Sequence, residues 1–580
     1  MGERTGRFLI YLIQPTHYDD DGYPLQWHRT IVPSNSLACL NGIVHDAIER
    51  GVLAGTDVEV HSINEFNTFV SPQKIVAEIA ENGGKGFVGL VGVQSNQFPR
   101  ALDIARELAA GGVPVCIGGF HVSGSIAMLE DLPAELREAQ ELGIALFAGE
   151  AEDGRIDEVL RDARAGRLKP LYDHGKDMPN LAGAPVPFLA RGEIDRTIGT
   201  LSSLDLGRGC PFDCSFCAII NVQGRKSRFR TADDLEKIIR RNAADGIYTF
   251  FLTDDNFARN RNWEAFCDRL IALRAEGLKV RLTIQIDTLA HKIPRFIEKC
   301  TAAGVYSVFI GLENINSDSL ESVGKKQNRV DDYREMFLAW KRRHAVITCG
   351  YIVGFPNDTK DSVLADIETI KRRLPIDILF LTYLTPLPGS ADHRNAVAAG
   401  TWLEPDLGKY DLHHRATRHP VMSGAEWDAA YHEGHGRFYD WDHIETIFRR
   451  MVATGSNKRF STLYRLLACR NALQNEGVAM LESAFFRVKR RRQRRSGMPL
   501  ENPVVFYPRY WAHAARSVFG AAYTYLRLRR ILHRAWTDPD RYDYVDEAIA
   551  PVVGGTEGED WVATTRLTDR ALRRRGQTAA

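Results

Sequence analysis

Three cysteines fall within eight positions of the stretch "RGCPFDCSFC" (residues 208–217), in a chain of 580 residues that holds nine cysteines in all. Thiols crowded beside a Gly, a Pro and two Phe in a loop-forming stretch are candidates for metal ligation. Zinc is the plainest occupant, but a structural zinc closes its shell with four N or S ligands, and no other Cys or His is close by in sequence. The nearest cysteine, Cys267, falls in a helix-like stretch. An iron-sulfur cluster accepts three protein thiolates, because its fourth iron can take a small molecule. Cys210, Cys214 and Cys217 are therefore the candidate cluster ligands. Cys39, Cys116, Cys267, Cys300, Cys349 and Cys469 stand singly in apolar surroundings and read as buried reduced thiols rather than a disulfide framework.

The elements around the trio must hold it at a strand end. From 201 onward, apolar runs alternate with amphipathic segments: "LSSLDLG", "YTFFLTD" (248–254), "VRLTIQI" (280–286), "VYSVFIG" (305–311), "VITCGYIV" (346–353) and "ILFLTYLT" (378–385). Six such β/α units predict a partial TIM-type barrel over 201–395, with the cysteines just past its first strand, on the face where such barrels place their chemistry. Thr231 and Asp233 offer N-capping oxygens to the first of the intervening helices, and Asp358 and Thr359 do so for the last. An earlier alternating series over 1–165, from "FLIYLI" to "IALFAGE", predicts a doubly wound, Rossmann-like parallel sheet. Its strand-end loops carry Ser95 and Asn96, then Gly118, Gly119 and His121, then Gly149 and Glu150. Residues 166–200 read as a connector, 396–552 as a mostly helical region and 553–580 as a disordered tail. The fold class is thus α/β with a helical C-terminal region.

The C-x3-C-x2-C spacing after a strand resembles the radical S-adenosylmethionine superfamily. Later strand ends fit the same family order: Thr253–Phe257 (TDDNF), Ile310–Asn314 (IGLEN), Gly350–Pro356 (GYIVGFP) and Thr385–Ser390 (TPLPGS). The resemblance implies a 4Fe-4S cluster on the three cysteines, with S-adenosylmethionine on the open iron. It implies a pocket for that cofactor shaped by Phe216, Asp254, Asp255, Asn256, Glu313, Gly350 and Gly354. Phe216 is equally readable as a core aromatic. An external electron donor of the flavodoxin or ferredoxin type would reduce the cluster, cleave the sulfonium and yield a 5'-deoxyadenosyl radical.

A doubly wound domain followed by the barrel resembles the cobalamin-binding branch of the superfamily, over roughly residues 6–440. The aspartate-x-histidine-x-x-glycine stretch that supplies an axial histidine is absent. Corrin contacts would then fall to Ser95, Asn96, Gly118, Gly119, His121, Gly149 and Glu150. His121 reads as a loop residue that bonds backbone rather than as a metal ligand. The domain can also be an empty scaffold. Methylthiotransferases need a second N-terminal cysteine triad and auxiliary-cluster enzymes need several C-terminal cysteines, so neither subfamily fits this chain.

The expected reaction is methylation of an unactivated carbon; a radical cyclisation or rearrangement without methyl transfer is the alternative, and a non-catalytic iron-sulfur sensor or electron carrier the rival outside enzymes. A formal net charge of +1, with 44% hydrophobic and 26% charged residues, gives no global bias toward nucleic acid, which is not expected as a partner. The substrate class is a small molecule or lipid. No apolar run approaches about 18 residues and "RFLIYLI" is too short for a signal sequence, so a cytoplasmic protein is expected. The basic run "RVKRRRQRR" (487–495) reads as a solvated face or as a peripheral membrane contact. The aromatic and histidine-rich stretch 410–441 either covers the barrel mouth or packs on its side.

Overall fold

Continuous apolar runs that bury both faces build two parallel sheets in the computed structural model, which describes residues 7–316, 319–320 and 330–550. The expected tail at 553–580 lies outside the described residues. The strands in chain order are β1 (Phe8–Gln14), β2 (Gln26–Arg29), β3 (Val58–Asn64), β4 (Gly86–Leu90), β5 (Val115–Gly118), β6 (Ala145–Ala148), β7 (Leu171–Asp173) and β8 (Leu201–Leu204). They continue with β9 (Gly207–Arg208), β10 (Arg228–Phe229), β11 (Thr249–Leu252), β12 (Arg281–Ile286), β13 (Val305–Glu313), β14 (Val346–Val353), β15 (Ile378–Tyr383) and β16 (Phe485–Val488).

The first sheet runs β3-β1-β4-β5-β6-β7, and β1 alternates strictly: Phe8, Ile10 and Leu12 face one core, while Leu9, Tyr11 and Ile13 face the other. The order reverses at β1/β4, the switch point where open sheets of this kind receive ligands. Helices cover both faces; two of them, 35–49 and 72–81, start at side-chain caps on Ser34 and Ser71. The segment 166–200 is more than a connector, since its β7 pairs with β6 as the sixth strand. That strand was missed because it is three residues long and sits among Pro and Gly.

The second sheet runs β8-β11-β12-β13-β14-β15, all parallel and in sequence order, as a partial barrel requires. Thr231 caps helix 232–244 in a reciprocal box with Asp234, and Thr359 does the same with Ser362. The C-terminal region is mostly helical, and its one strand among the described residues, β16, returns to pair antiparallel with β2. Helix 424–438 lies on the outer side of β14 and β15: Trp427 Nε1 donates to the Val353 carbonyl at 3.0 Å, and the Tyr439 hydroxyl bridges the Leu379 N–H and C=O. The aromatic stretch thus packs mainly on the barrel's side. Residues 411–414 form a turn, where His413 Nδ1 lies 2.8 Å from the Tyr431 hydroxyl and His414 pairs with Asp411.

The basic run is not a solvated tail. Arg487 and Lys489 ion-pair with Asp19 at 2.6 and 2.7 Å, Arg495 with Asp406 at 2.7 Å, and Arg490 and Arg494 lie over the rings of Phe69 and Tyr23. Much of its charge is spent clamping the C-terminal region to the first domain.

Burial holds His435 and His443, in this packed layer, down to about 3. Between their ordinary value near 6.5 and about 3 the unfolded chain binds protons that the folded chain does not. Their contribution is complete above about 6.5 and is lost as pH falls to about 3. Urea midpoints measured across that window are expected to drop steeply in the parent chain and less in H435Q/H443Q.

Candidate functional site

The cysteine loop leaves β8 through Asp205 and is pinned at its base by the β9–β10 ladder, where Arg208 opposes Arg228 and Gly207 opposes Phe229. Gly209 then turns at φ +88°, and a Cβ there would stand 2.6 Å from the Lys226 carbonyl oxygen and 2.9 Å from that of Gly224. Cys210 N–H donates to the Gly224 carbonyl and Cys217 N–H to that of Cys214. Burial pushes the thiols of Cys210 and Cys217 upward, the latter to about 12, so they ligate only by giving up protons to a metal. Among the described residues, no three His, Cys, Asp or Glu side chains converge on a point that could hold one metal ion.

The acidic pair ending β11 supports this loop. Asp255 Oδ2 accepts from Gly209 N–H at 2.7 Å, and Asp254 Oδ2 accepts from Asn260 at 2.6 Å while packing where a Gly207 Cβ would stand. Burial pushes both carboxyls up to about 7. Asn256 donates to Asp287 at 2.9 Å, and Arg259 forms a two-pronged pair with the same Asp287. Asp254 Oδ1 and Asn256 Oδ1 remain buried acceptors without a hydrogen bond.

Across the mouth, Glu313 ends β13 at φ +64° after a register shift, and its carboxylate lies 3.8 Å from where a Gly350 Cβ would be. Gly354 turns at φ +109° against the Trp427 ring, which leaves no room for a side chain. Phe216 packs on Phe355 with ring centroids 6.1 Å apart. Ser215, Gly354, Asp392, His419 and Trp427 line a cavity of about 260 Å3 beside the cysteine loop.

On the loop's other flank the first domain closes in. Glu150 accepts from Arg208 at 2.6 Å and from Arg228, Glu152 accepts from Arg208 at 2.7 Å, and Asp205 pairs with Arg208 and Arg230 at 3.1 and 3.4 Å. Burial opposes ionisation of Asp205, yet Arg208 and Arg230 hold it down to about 2. Gly124 meets the backbone of Pro388 and Gly389, at the end of the sixth barrel strand, closely enough that a Cβ would stand 2.7 Å from a carbonyl oxygen.

Between the domains lies a cavity of about 160 Å3 at the β1/β4 switch point. Gly118, Gly119, Gly149 and Glu150 line it from the first domain; Arg208, Val222 and Gln223 line it from the cysteine loop. Gln223 Oε1 is buried there without a hydrogen bond. Ser95, Asn96 and His121 do not line it. His121 is buried between Ser95 and Glu135, and Asn96 donates to Glu482. His121 lies in helix 120–128 rather than in a loop, and its ring partners are two side chains rather than the backbone expected.

Asp205, Arg208, Arg228, Arg230, Asp287, Gln223 and Trp427 escaped sequence reasoning. Arg208 carried a signal as the residue two before the first cysteine, and Glu152 as the end of the strand-end loop that holds Gly149 and Glu150.

Residues 204–370 match the model of the Radical SAM superfamily. The chain is 26% identical over 347 residues to bacteriochlorophyllide d C-8(2)-methyltransferase of Chlorobaculum tepidum, covering 57% of this chain and 73% of that protein. It is 24% identical to hopanoid C-2 methylase of Rhodopseudomonas palustris, covering 52% and 55% of the two chains. Two solved structures share the fold. The cobalamin-dependent S-adenosylmethionine radical enzyme OxsB superposes with a TM-score of 0.54 at 14% identity, over 93% of this chain and 84% of that one. The radical S-adenosylmethionine methyltransferase TsrM of Kitasatospora setae, with cobalamin and a 4Fe-4S cluster bound, gives 0.52 at 16% identity over 69% and 79%.

Gly209→Ala forces a side chain against two fixed carbonyls in a left-handed turn that by itself costs about 1–2 kcal/mol. Iron and acid-labile sulfide per chain are expected to fall sharply while the circular dichroism spectrum is kept.

Proposed function

We propose, from the premise that the chain belongs to the radical S-adenosylmethionine superfamily through residues 204–370, that it is a cobalamin-dependent methyltransferase acting on an unactivated carbon. The observation that carries the corrin half of this reading is the cavity shared by the glycine-bearing strand ends of the first domain and the cysteine loop of the barrel. Cys210, Cys214 and Cys217 would hold the 4Fe-4S cluster. When bound, the cluster and S-adenosylmethionine supply a 5'-deoxyadenosyl radical, and the corrin supplies the methyl group.

The chain's own groups fit these tenants. Three arginines (Arg208, Arg228, Arg230) face Glu150, Glu152 and Asp205 in balance, which leaves Asp254 and Asp255 as surplus buried acid. A cationic methionine end entering beside them would offset that surplus, and the open acceptors on Asp254 and Asn256 suit an ammonium donor. Glu313 stands over Gly350, where backbone can approach a flat ring, with Gly354 and Phe216 closing the same side. On the corrin side Gly118, Gly119 and Gly149 line the cavity, and Gln223 offers a free acceptor. Ser95, Asn96 and His121 would at most support this wall from behind.

A low-potential flavodoxin or ferredoxin would deliver the electron. Substrates of the relatives, a chlorophyllide and a hopanoid by their names, point to a large, mostly apolar small molecule or lipid.

Anaerobically reconstituted protein is expected to show cluster and corrin absorbance, to release 5'-deoxyadenosine on reduction, and to add one methylene mass to its substrate; Cys210→Ala, Cys214→Ala or Cys217→Ala takes all turnover to background. Product without added mass would favour cyclisation instead. Gly118→Leu is expected to exclude the corrin, lowering its content at least about tenfold by filling the cavity, while the cluster and reductive cleavage persist.

A further inference from the structure

Helix 503–537 buries Phe506, Thr524, Leu528, Ile531, Leu532 and Ala535, and only the first of these lies in its N-terminal half. Its other face is apolar and bare. Val504, Pro508, Trp511, Ala515, Phe519, Ala522 and Leu526 follow one another at three- and four-residue steps and are all exposed, with Val504 at 79%, Trp511 at 64%, Phe519 at 75% and Leu526 at 64%. This stripe runs for about 35 Å at the helical rise. A contiguous row of large exposed apolar side chains on that scale marks an interaction surface.

Charge selects the partner. Residues 503–537 contain six arginines and no Asp or Glu. Arg516, Arg529 and Arg530 have no carboxylate among the described residues within ion-pair reach, so their charge is available outward. A helix with Trp, Phe, Leu and Val on one line and arginines beside it has the composition of a segment that lies in the interfacial plane of a bilayer. No helix among the described residues is long and apolar enough to cross a membrane, so the contact is parallel to the surface. We propose that helix 503–537 docks this protein on an anionic lipid membrane, with its exposed aromatic stripe in the headgroup region and its unpaired arginines against the lipid phosphates. This site is separate from the 487–495 run, where Arg487 and Lys489 pair with Asp19 of the first domain and Arg495 pairs with Asp406.

The test is co-sedimentation of the full chain with phosphatidylcholine vesicles and with vesicles containing phosphatidylglycerol, at low and high salt. Binding is expected only to the anionic vesicles, falling as salt rises. Trp511→Ser with Phe519→Ser should weaken it at least about tenfold, and Arg529→Glu with Arg530→Glu by roughly fivefold or more per arginine, with circular dichroism and cluster content unchanged. No binding to anionic vesicles, or equal binding by both double variants, overturns the proposal. So does a concentration-dependent dimer that the Trp511/Phe519 variant abolishes in the absence of vesicle binding, since the stripe would then be a protein interface.

Discussion

The site depends on a buried charge constellation at the seam of two domains. Arg208 sits in the short ladder that starts the cysteine loop, and its guanidinium is shared among Glu150, Glu152 and Asp205. Two of these carboxylates belong to the first domain and one to the barrel, so a single side chain fixes the loop against both. Such networks add little net stability over an apolar seam of the same shape, because each charge must first be stripped of water. What they impose is uniqueness: removing one partner strands a buried charge at a cost of about 3–5 kcal/mol, so other docking angles of the two domains are strongly disfavoured.

That constraint also explains where the glycines lie. With the domains drawn together by ion pairs, backbone must meet backbone, and Gly124 against Gly389 is such a meeting. Gly207 and Gly209 play the corresponding part inside the barrel, giving up their side-chain volume to Asp254, Asn260 and two carbonyls. The acidic pair after β11 therefore serves the loop first. Asp255 binds the Gly209 N–H and Asp254 fills the place beside Gly207, and what remains free for a ligand is one oxygen on Asp254 and one on Asn256.

The sheets and the cysteine trio were legible in the sequence because their signals are local. Parallel strands buried on both faces appear as unbroken apolar runs, and a C-x3-C-x2-C cluster is dense against a background of single cysteines. The cross-chain partners were not legible. Glu150 and Arg208 are 58 residues apart, and Arg487 and Asp19 are 468 apart, so nothing in either neighbourhood names the other. Ser95 and Asn96 show the converse. Their residue types suit a ligand loop, yet they turn toward His121 and Glu482, because a strand-end loop has two sides and composition does not tell which one a side chain takes.

The clamp by the basic run follows from the same physics. Its cationic residues would repel one another along a free segment, and here Asp19, Asp21, Asp406 and Glu501 take up the charge while Phe69, Tyr18 and Tyr23 accept the flat faces of Arg490, Arg495 and Arg494. β16 is thereby held beside β2, and a segment from the far end of the chain becomes part of the first domain's wall. The cavity at the switch point is thus bounded on one flank by the Arg208 network, while the first domain that forms its floor is braced by this clamp.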